Sequence, residues 1–273
     1  MVAKVKIGNY GYTCQPRWGF GRPTHPLLTP LVAAGRAEYA RLLDRFAGLA
    51  DRFAAIPREA ADDSPEPRWL NPWFTGFDAV ALYGMLASGN PRQMIEVGSG
   101  NSTKVARRAV RDHDLRTRLV SIDPQPRAEV DALCDEVIRA PAETVDPALF
   151  ARLKPGDVLF IDSSHRSFEN SDVTMLFLEV LPALEPGVIV HVHDIYLPYD
   201  YPPPAEGLLY NEQYLLAALL LGGGRWLEPL FPCFFVSQDQ ALAARSQPIW
   251  QAVGVNAFPT PSSSFWMKVK KRR

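Results

Sequence analysis

Short apolar runs alternate with helical patterns along residues 91–273. We predict strands at about 93–97, 118–122, 136–139, 157–162, 187–193, 232–237 and 264–270. The helical patterns between them predict helices at about 102–111, 127–134, 145–152, 171–184 and 210–222. Strands that alternate with helices are typical of βαβ units and a parallel sheet. The last two strands have no convincing helical pattern between them, which favours a final antiparallel strand beside its predecessor.

Residues 1–90 have a different pattern. Apolar residues between Val32 and Ile56 follow the spacing of one amphipathic helix, and a second helix is predicted from about Thr75 to Ser88. Residues 1–30 combine glycine and proline with several aromatic residues, so they are neither a typical helix nor a typical free tail. We therefore predict that residues 1–90 form an N-terminal arm and helices, acting as a lid or making oligomer contacts.

Composition narrows the classes of partner and the compartment. The 273 residues include 29 basic and 30 acidic side chains, so no overall charge attracts nucleic acid or an anionic membrane. Cys14, Cys134 and Cys233 are widely spaced and form no C-x-x-C motif. The first twenty residues lack the apolar core of a signal peptide, and the apolar stretch near Leu215 to Leu221 is too short to span a bilayer. These features predict a soluble cytoplasmic protein.

A glycine-rich turn follows the first predicted strand in "RQMIEVGSGNSTKVARRAV". Gly98 and Gly100 permit a tight turn and close approach to a ligand, and Asn101, Ser102 and Thr103 are candidate caps for the next helix. The second strand ends at Asp123, where an acid is placed to bind the ribose hydroxyls of a nucleoside. Thr103 occupies the third glycine position of G-x-G-x-x-G, which disfavours a dinucleotide.

The pattern E-V-G-S-G-N-S, with an acid ending the second strand and a seventh strand, resembles class I S-adenosylmethionine-dependent methyltransferases. The resemblance implies a seven-stranded, doubly wound, Rossmann-like α/β sheet with a reversed last strand, and a catalytic domain over residues 91–273 that binds S-adenosylmethionine. It places Ala142 and Glu143 beside adenine. The cofactor-binding residues that we predict are Glu96, Gly98, Gly100, Asn101, Ser102, Asp123 and Asp162.

Two further strand ends carry titratable groups. The fourth strand ends in Asp162, which His165 follows closely, and the fifth ends in His193 and Asp194. Because neighbouring parallel strands end at one edge, we predict that these catalytic candidates share a crevice with the cofactor. They resemble the carboxylates of metal-dependent small-molecule O-methyltransferases, related to macrolide sugar methyltransferases and cephalosporin hydroxylase-like proteins.

That second resemblance implies a divalent metal, magnesium or iron, at Asp162, His193 and Asp194. A mixed Asp and His site suits transition metals better than an all-oxygen site. Unless the strand twists or ends at Asp194, alternation places His191 and His193 on one face and Asp194 on the other, which favours His193 or Asp194 over both. His191 is predicted to be a core residue. Without a metal, His165 or His193 is a candidate general base.

The leading functional hypothesis is methyl transfer from S-adenosylmethionine to a small-molecule acceptor, at a hydroxyl group. Tyr196, Tyr199 and Tyr201 follow the fifth strand and could cover such an acceptor, or they could form a homo-oligomer interface. One alternative is an iron-dependent oxidative enzyme on the same fold. Another is a catalytically silent scaffold.

Overall fold

A seven-stranded mixed sheet forms the centre of the fold. The computed structural model describes residues 15–126, 129–203, 208–222, 226–255 and 257–272. The strands are β1 (Gln93–Val97), β2 (Arg118–Ile122), β3 (Glu136–Ile138), β4 (Val158–Ile161), β5 (Ile189–Val192), β6 (Leu227–Pro232) and β7 (Phe265–Val269). Their order in the sheet is β3-β2-β1-β4-β5-β7-β6.

The pairing of the strands brings four chain segments to one edge. Strand β1 runs parallel to both β2 and β4, with Val97 paired to Ile122 and to Ile161. Strand β5 is parallel to β4, whereas β7 is antiparallel to β5 and to β6. The predicted doubly wound sheet with a reversed last strand is confirmed. The segments after β1, β2, β4 and β5 therefore leave the sheet side by side.

The N-terminal helices share one hydrophobic core with the sheet. They are α1 (Leu28–Ala33), α2 (Arg36–Ala47), α3 (Ala50–Ala54) and α4 (Phe77–Gly89). The single helix predicted over 32–56 was wrong, because the chain turns at Gly35 and again at Gly48. Phe46 on α2 packs edge-on against Phe231 of β6, with the ring centroids 5.5 Å apart. Residues 1–14 of the predicted arm lie outside the described residues.

Helices on the two faces cover the sheet, and β1 and β4 are buried at every position. Helix α5 (Asn101–Asp112) follows β1; α6 (Asp172–Met175) continues through a π-helical turn into α7 (Leu181–Ala183); and α8 (Glu212–Gly222) follows the loop after β5. The helix predicted at 145–152 is a 3₁₀ helix over Pro147–Arg152. In place of the helix predicted at 127–134 there is a 3₁₀ turn over Asp131–Leu133, and residues 127–128 lie outside the described part.

The sixth strand lies earlier in the chain than predicted. It covers Leu227–Pro232, and the predicted strand at 232–237 is mostly the helix α9 (Cys233–Gln238). Two helices that the pattern did not indicate follow, α10 (Gln240–Arg245) and α11 (Gln247–Val253). A short apolar run buried on all sides does not distinguish a strand from a helix by periodicity. Of the helices that the structure describes, none combines the length and apolar character needed to cross a bilayer.

Candidate active site

A cavity of about 470 Å³ opens at the carboxyl ends of β1, β2 and β4. This volume lies within the range of roughly 300–1,000 Å³ typical of small-molecule sites. Ala142 and Glu143, which the resemblance placed beside adenine, are both on its wall. Trp73 and Phe74 line it from the N-terminal part of the chain. The other lining residues used below are Gly98, Ser99, Gly100, Asn101, Ser102, Asp123, Pro124, Gln125, Asp162 and Ser163.

The glycine turn after β1 places backbone directly against the cavity. Gly98 has a φ of +82°, and a methyl group on it would overlap the carbonyl oxygen of Asp162. A methyl group on Gly100 would meet no atom within 4 Å, because this residue faces the open cavity. The two glycines thus serve different purposes. Gly98 lets β1 and β4 approach each other, and Gly100 leaves space for a ligand.

Glu96 lies behind this turn rather than in the cavity lining. Its carboxyl group accepts hydrogen bonds from Ser102 Oγ at 2.6 Å and Thr103 Oγ1 at 2.5 Å. Burial is the main reason that the pKa of Glu96 rises to about 7, and the nearby charge of Asp162 adds to the effect. Of the predicted caps of α5, Ser102 bonds to Glu96 instead, whereas Thr103 caps the helix as predicted. Thr103 Oγ1 also accepts the Gly100 N–H. Glu96 therefore organises the turn from below.

Asp123 stands at the end of β2 on the cavity wall. Its Oδ2 accepts the Ser99 N–H at 2.8 Å and its Oδ1 accepts the Gln125 N–H at 2.7 Å. These bonds fix the carboxylate, and each oxygen can still accept a further hydrogen bond. A fixed acid therefore stands beside the glycine turn on the cavity wall, and its role as a ligand of ribose hydroxyls stays a prediction.

The acids and histidines predicted at the ends of β4 and β5 form one cluster. His165 Nε2 lies 3.3 Å from Asp162 Oδ1 and 3.4 Å from Asp194 Oδ2. His193 Nδ1 lies 3.4 Å from Asp162 Oδ1 and 3.8 Å from Asp194 Oδ1. Asp162 also lines the cavity, so the cluster and the cavity are adjacent.

The backbone explains why His193 and Asp194 converge. Strand β5 ends at Val192, and Asp194 adopts a φ of +54°, which turns its side chain back toward His193. The two side chains converge through the exception that the sequence left open, because the strand and its alternation end before Asp194. His165 also has a positive φ, +60°. Such conformations cost about 1–3 kcal/mol each in non-glycine residues and concentrate at functional sites.

Two more carboxylates, which the sequence did not indicate, complete the cluster. Glu212 at the start of α8 bonds to Nδ1 of His165, and Asp78 Oδ2 on α4 lies 3.3 Å from Nε2 of His193. Asp78 stands in the helix "FDAVALYGML", and Glu212 begins a helix that is also apolar nearly all round. A helix that is apolar all round is buried, so an acid within it is buried too. An acid in an apolar helix is the sequence signal that could have indicated both residues.

The electrostatics of the cluster favour charged imidazoles. Burial alone lowers the pKa of His165, but the charges of Glu212 and Asp194 outweigh it and leave this pKa well above its ordinary value. The pKa of His193 is likewise well above its ordinary value, because the charges of Asp162 and Asp194 outweigh burial. Burial raises the pKa of Asp162, yet the two imidazoles hold it well below its usual range.

The cluster as placed does not fit a bound metal. Among the residues that the structure describes, no three His, Cys, Asp or Glu side chains are grouped to hold a metal ion. The facing ring nitrogens and carboxylate oxygens are instead arranged as ion pairs, with distances of 3.3 to 3.8 Å around Asp162 and Asp194. A metal at Asp162, His193 and Asp194 stays a prediction.

His191 is separate from this chemistry. It is fully buried, its Nε2 lies 2.8 Å from Ser264 Oγ, and its ring stacks on Phe160 with centroids 3.7 Å apart. Burial lowers its pKa well below the ordinary value, so the ring is neutral. His191 packs in the core as the sequence predicted.

Tyrosines stand beside the cluster. Tyr196 Oη donates to Asp194 Oδ1 at 3.4 Å, and the ring of Tyr210 lies 4.4 Å from the ring of His165. The ring of Tyr201 lies 5.9 Å from the ring of Tyr196 and 6.2 Å from the ring of Tyr210, measured between centroids. The side of the cluster that these residues form is aromatic with polar tips.

Comparison with known families identifies the central region. Residues 95–195 match the sequence model of a family described as a methyltransferase domain. The match runs from β1 to the turn after β5, so it includes the glycine turn, Asp123 and the acids after β4 and β5. Over these residues the chain is therefore similar to a methyltransferase domain. No curated protein matches the chain in a sequence search.

Several solved structures are similar to this chain. An O-methyltransferase from Bacillus cereus in complex with S-adenosylhomocysteine aligns over 90% of this chain and 98% of its own, with 14% identity and a TM-score of 0.42. The O-methyltransferase TomG from Streptomyces achromogenes, involved in tomaymycin synthesis, aligns over 90% and 97%, with 15% identity and a TM-score of 0.42. The methyltransferase PaMTH1 from Podospora anserina aligns over 71% and 78%, with 16% identity and a TM-score of 0.34.

Proposed function

We propose that the protein transfers a methyl group from S-adenosylmethionine to a hydroxyl oxygen of a small-molecule acceptor. The observation that carries the proposal is the position of the Asp and His cluster, which adjoins the cofactor cavity through Asp162. A hydroxyl group must lose its proton as it attacks a methyl group, and the cluster offers two imidazoles to receive it. Near-neutral charge and the small cavity support a small acceptor rather than nucleic acid or a membrane.

When bound, S-adenosylmethionine supplies the methyl group as its carbon–sulfur bond breaks and the new carbon–oxygen bond forms. Asp123 holds the ribose, and the glycine turn accommodates the rest of the cofactor. The raised pKa of His165 means that its ring must release one proton before it can take one from the acceptor. Holding the acceptor in line supplies much of the rate, up to about 7–11 kcal/mol in well-oriented systems.

A divalent metal, or iron for an oxidative reaction on the same fold, is the alternative that the sequence predicted. The cluster as placed does not fit it, because the carboxylates around the two imidazoles, Asp78, Asp162, Asp194 and Glu212, are held in ion pairs with them. Metal analysis of protein purified without chelator separates these alternatives, because stoichiometric iron would support the oxidative enzyme. A silent scaffold would transfer no methyl group to any acceptor.

Replacing Asp123 tests the cofactor assignment. Asp123→Ala removes the proposed ribose ligand, and one hydrogen bond to a charged group contributes about 1.5–3 kcal/mol. Calorimetric titration with S-adenosylhomocysteine should therefore show an affinity roughly 10- to 100-fold lower than that of the wild type. Glu185→Ala is the control, because its exposed ion pair with Lys154 lies at the opposite edge of the sheet. Unaltered affinity in Asp123→Ala would refute the assignment.

The acceptor class has its own test. Wild-type protein is incubated with S-adenosylmethionine labelled in the methyl group and with phenols, catechols and methyl glycosides. We expect label in a methyl ether of at least one of them. Cofactor binding without transfer to any hydroxyl compound would contradict the acceptor proposal and leave the cofactor site intact.

A further inference from the structure

Glu212 is a buried acid that the proposed mechanism does not yet use. It is completely inaccessible to solvent, and its Oε1 bonds to Nδ1 of His165. Its second oxygen, Oε2, has no hydrogen-bond partner among the residues that the structure describes. A buried carboxylate is costly unless it is paired, so Glu212 depends on His165 for compensation.

Asp78 differs from Glu212 although it bonds to the other histidine. It accepts the backbone N–H groups of Ser263 at 3.0 Å and Ser264 at 2.8 Å, and it lies 3.3 Å from His193 Nε2. Asp78 thereby ties α4 to the segment before β7, which accounts for its burial. Ser263 Oγ lies 3.4 Å from the same Nε2, so this nitrogen of His193 belongs to the contact between α4 and the segment before β7.

His165 is held between Glu212 on one side of its ring and Asp162 and Asp194 on the other. With Nδ1 directed at Glu212, Nε2 lies between Asp162 and Asp194, whose side chains are 24% and 22% exposed. The Asn211 N–H bonds to the His165 carbonyl at 2.9 Å, so the segment that carries Glu212 also fixes the His165 backbone. Nε2 of His165 therefore lies against Asp162, the residue of the cluster that lines the cavity.

We propose that Glu212 is a positioning residue, and that it makes His165, rather than His193, the proton acceptor in methyl transfer. Glu212 keeps a proton on Nδ1, so the ring presents Nε2 to the acceptor. The hydroxyl proton passes to Nε2 as the carbon–oxygen bond forms, and the resulting imidazolium is stabilised by the carboxylate on its far side. The inference rests on the proposed function, because it assigns a proton to the hydroxyl acceptor.

A double-mutant cycle with Glu212→Gln and His165→Gln tests the coupling in turnover. The readout is kcat with the best phenol or catechol acceptor. Glu212→Gln should lower kcat by roughly 100-fold, a typical effect of losing general base catalysis, and should leave the KM for S-adenosylmethionine within about twofold. In the His165→Gln background the same change should cost nothing further. An equal loss in both backgrounds would show a purely structural role and overturn the proposal.

A spectroscopic readout keeps the inference independent of the acceptor. The protein is labelled with ¹⁵N-histidine, loaded with S-adenosylhomocysteine and examined by NMR, with His165→Gln identifying the signal. We expect a proton on Nδ1 of His165 in the wild type and a shifted signal in Glu212→Gln, with the His193 signal unchanged. An Nδ1 without a proton, or a signal insensitive to Glu212→Gln, would refute the positioning role even if methyl transfer is active.

Two variants keep this test interpretable. Glu228→Gln alters an exposed ion pair with Lys270 and should leave the His165 signal and kcat unchanged. If Glu212→Gln does not fold, Glu212→Asp retains the charge with a shorter reach, and we expect it to shift the same signal. Lack of turnover by the wild type with every hydroxyl compound would refute the proposed function, whereas the NMR result would still decide the role of Glu212.

Discussion

Glu96 connects the protonation of one residue to the stability of the whole fold. Its folded pKa of about 7 lies above the value of about 4.3 expected for an unfolded chain, so the folded state binds the proton more tightly. The stabilisation from this group is complete below the unfolded pKa and is lost as the pH rises through 7. At about 1.4 kcal/mol per pKa unit, the loss amounts to roughly 3 kcal/mol between pH 5 and pH 8.

Glu96→Gln checks this expectation, because glutamine resembles the protonated acid and does not titrate. Urea unfolding of both proteins at pH 5 and pH 8 gives the difference in their free energies of unfolding. That difference should move in favour of Glu96→Gln by roughly 3 kcal/mol at the higher pH. Parallel pH dependence of the two proteins would show that Glu96 keeps an ordinary pKa.

At the scale of residues, the sequence predicted the groups that end strands and missed those that support them. Asp123, Asp162 and His165 follow strand ends, so sheet geometry alone brings them to one edge. Glu212 and Asp78 reach the cluster across 47 and 115 positions of the chain. Such pairings depend on how helices pack, and no local pattern encodes them.

Individual helices and strands were predictable where the spacing of apolar residues matched the kind of element that buries them. Strands β1 and β2 were predicted at the bounds the structure shows, because apolar runs between turn residues become buried parallel strands. The segment 233–238 was not, since its apolar residues are buried in a helix. Gly35 and Gly48 divide a periodic N-terminal pattern into separate helices. Hydrophobic spacing continued across both breaks and concealed them.

The turn between β1 and α5 allows a matched pair of substitutions. Gly98→Ala would overlap the Asp162 carbonyl at a φ of +82°, so β1 and β4 must move apart. Gly100→Ala meets no protein atom within 4 Å and instead projects a methyl group into the cavity. We expect Gly98→Ala to lower the free energy of unfolding by several kcal/mol, and Gly100→Ala to change it by less than about 1 kcal/mol.

Cofactor binding should separate the same two variants in a different way. Gly100→Ala folds normally and should bind S-adenosylhomocysteine at least about tenfold more weakly, because the added methyl group occupies ligand space. Urea unfolding and calorimetric titration measure both quantities. Normal cofactor affinity in Gly100→Ala would mean that the ligand does not approach this turn.

Across the whole molecule, the N-terminal segment is joined to the loop that follows β5. Asp200 Oδ2 accepts the backbone N–H groups of Arg17 at 2.6 Å and Trp18 at 2.9 Å, and the Asp200 N–H returns a bond to the Trp18 carbonyl. Phe20 packs edge-on against Tyr199 with ring centroids 5.7 Å apart. Residues 17–20 thus hold the loop that carries Tyr196, and Tyr196 contacts Asp194.

Removing this carboxylate should loosen the connection without unfolding the protein. In Asp200→Ala, residues around Arg17 and Trp18 lose two hydrogen bonds to a charged acceptor, so their amide hydrogens should exchange at least about tenfold faster. The KM for the acceptor should rise, while affinity for S-adenosylhomocysteine stays unchanged because neither segment lines the cofactor cavity. Hydrogen exchange by mass spectrometry and steady-state kinetics measure these effects.

Asp44→Ala is the control, since it breaks an exposed ion pair with Arg245 and should leave exchange in the arm unaltered. Equal protection of the arm in wild type and Asp200→Ala would show that aromatic packing alone holds it.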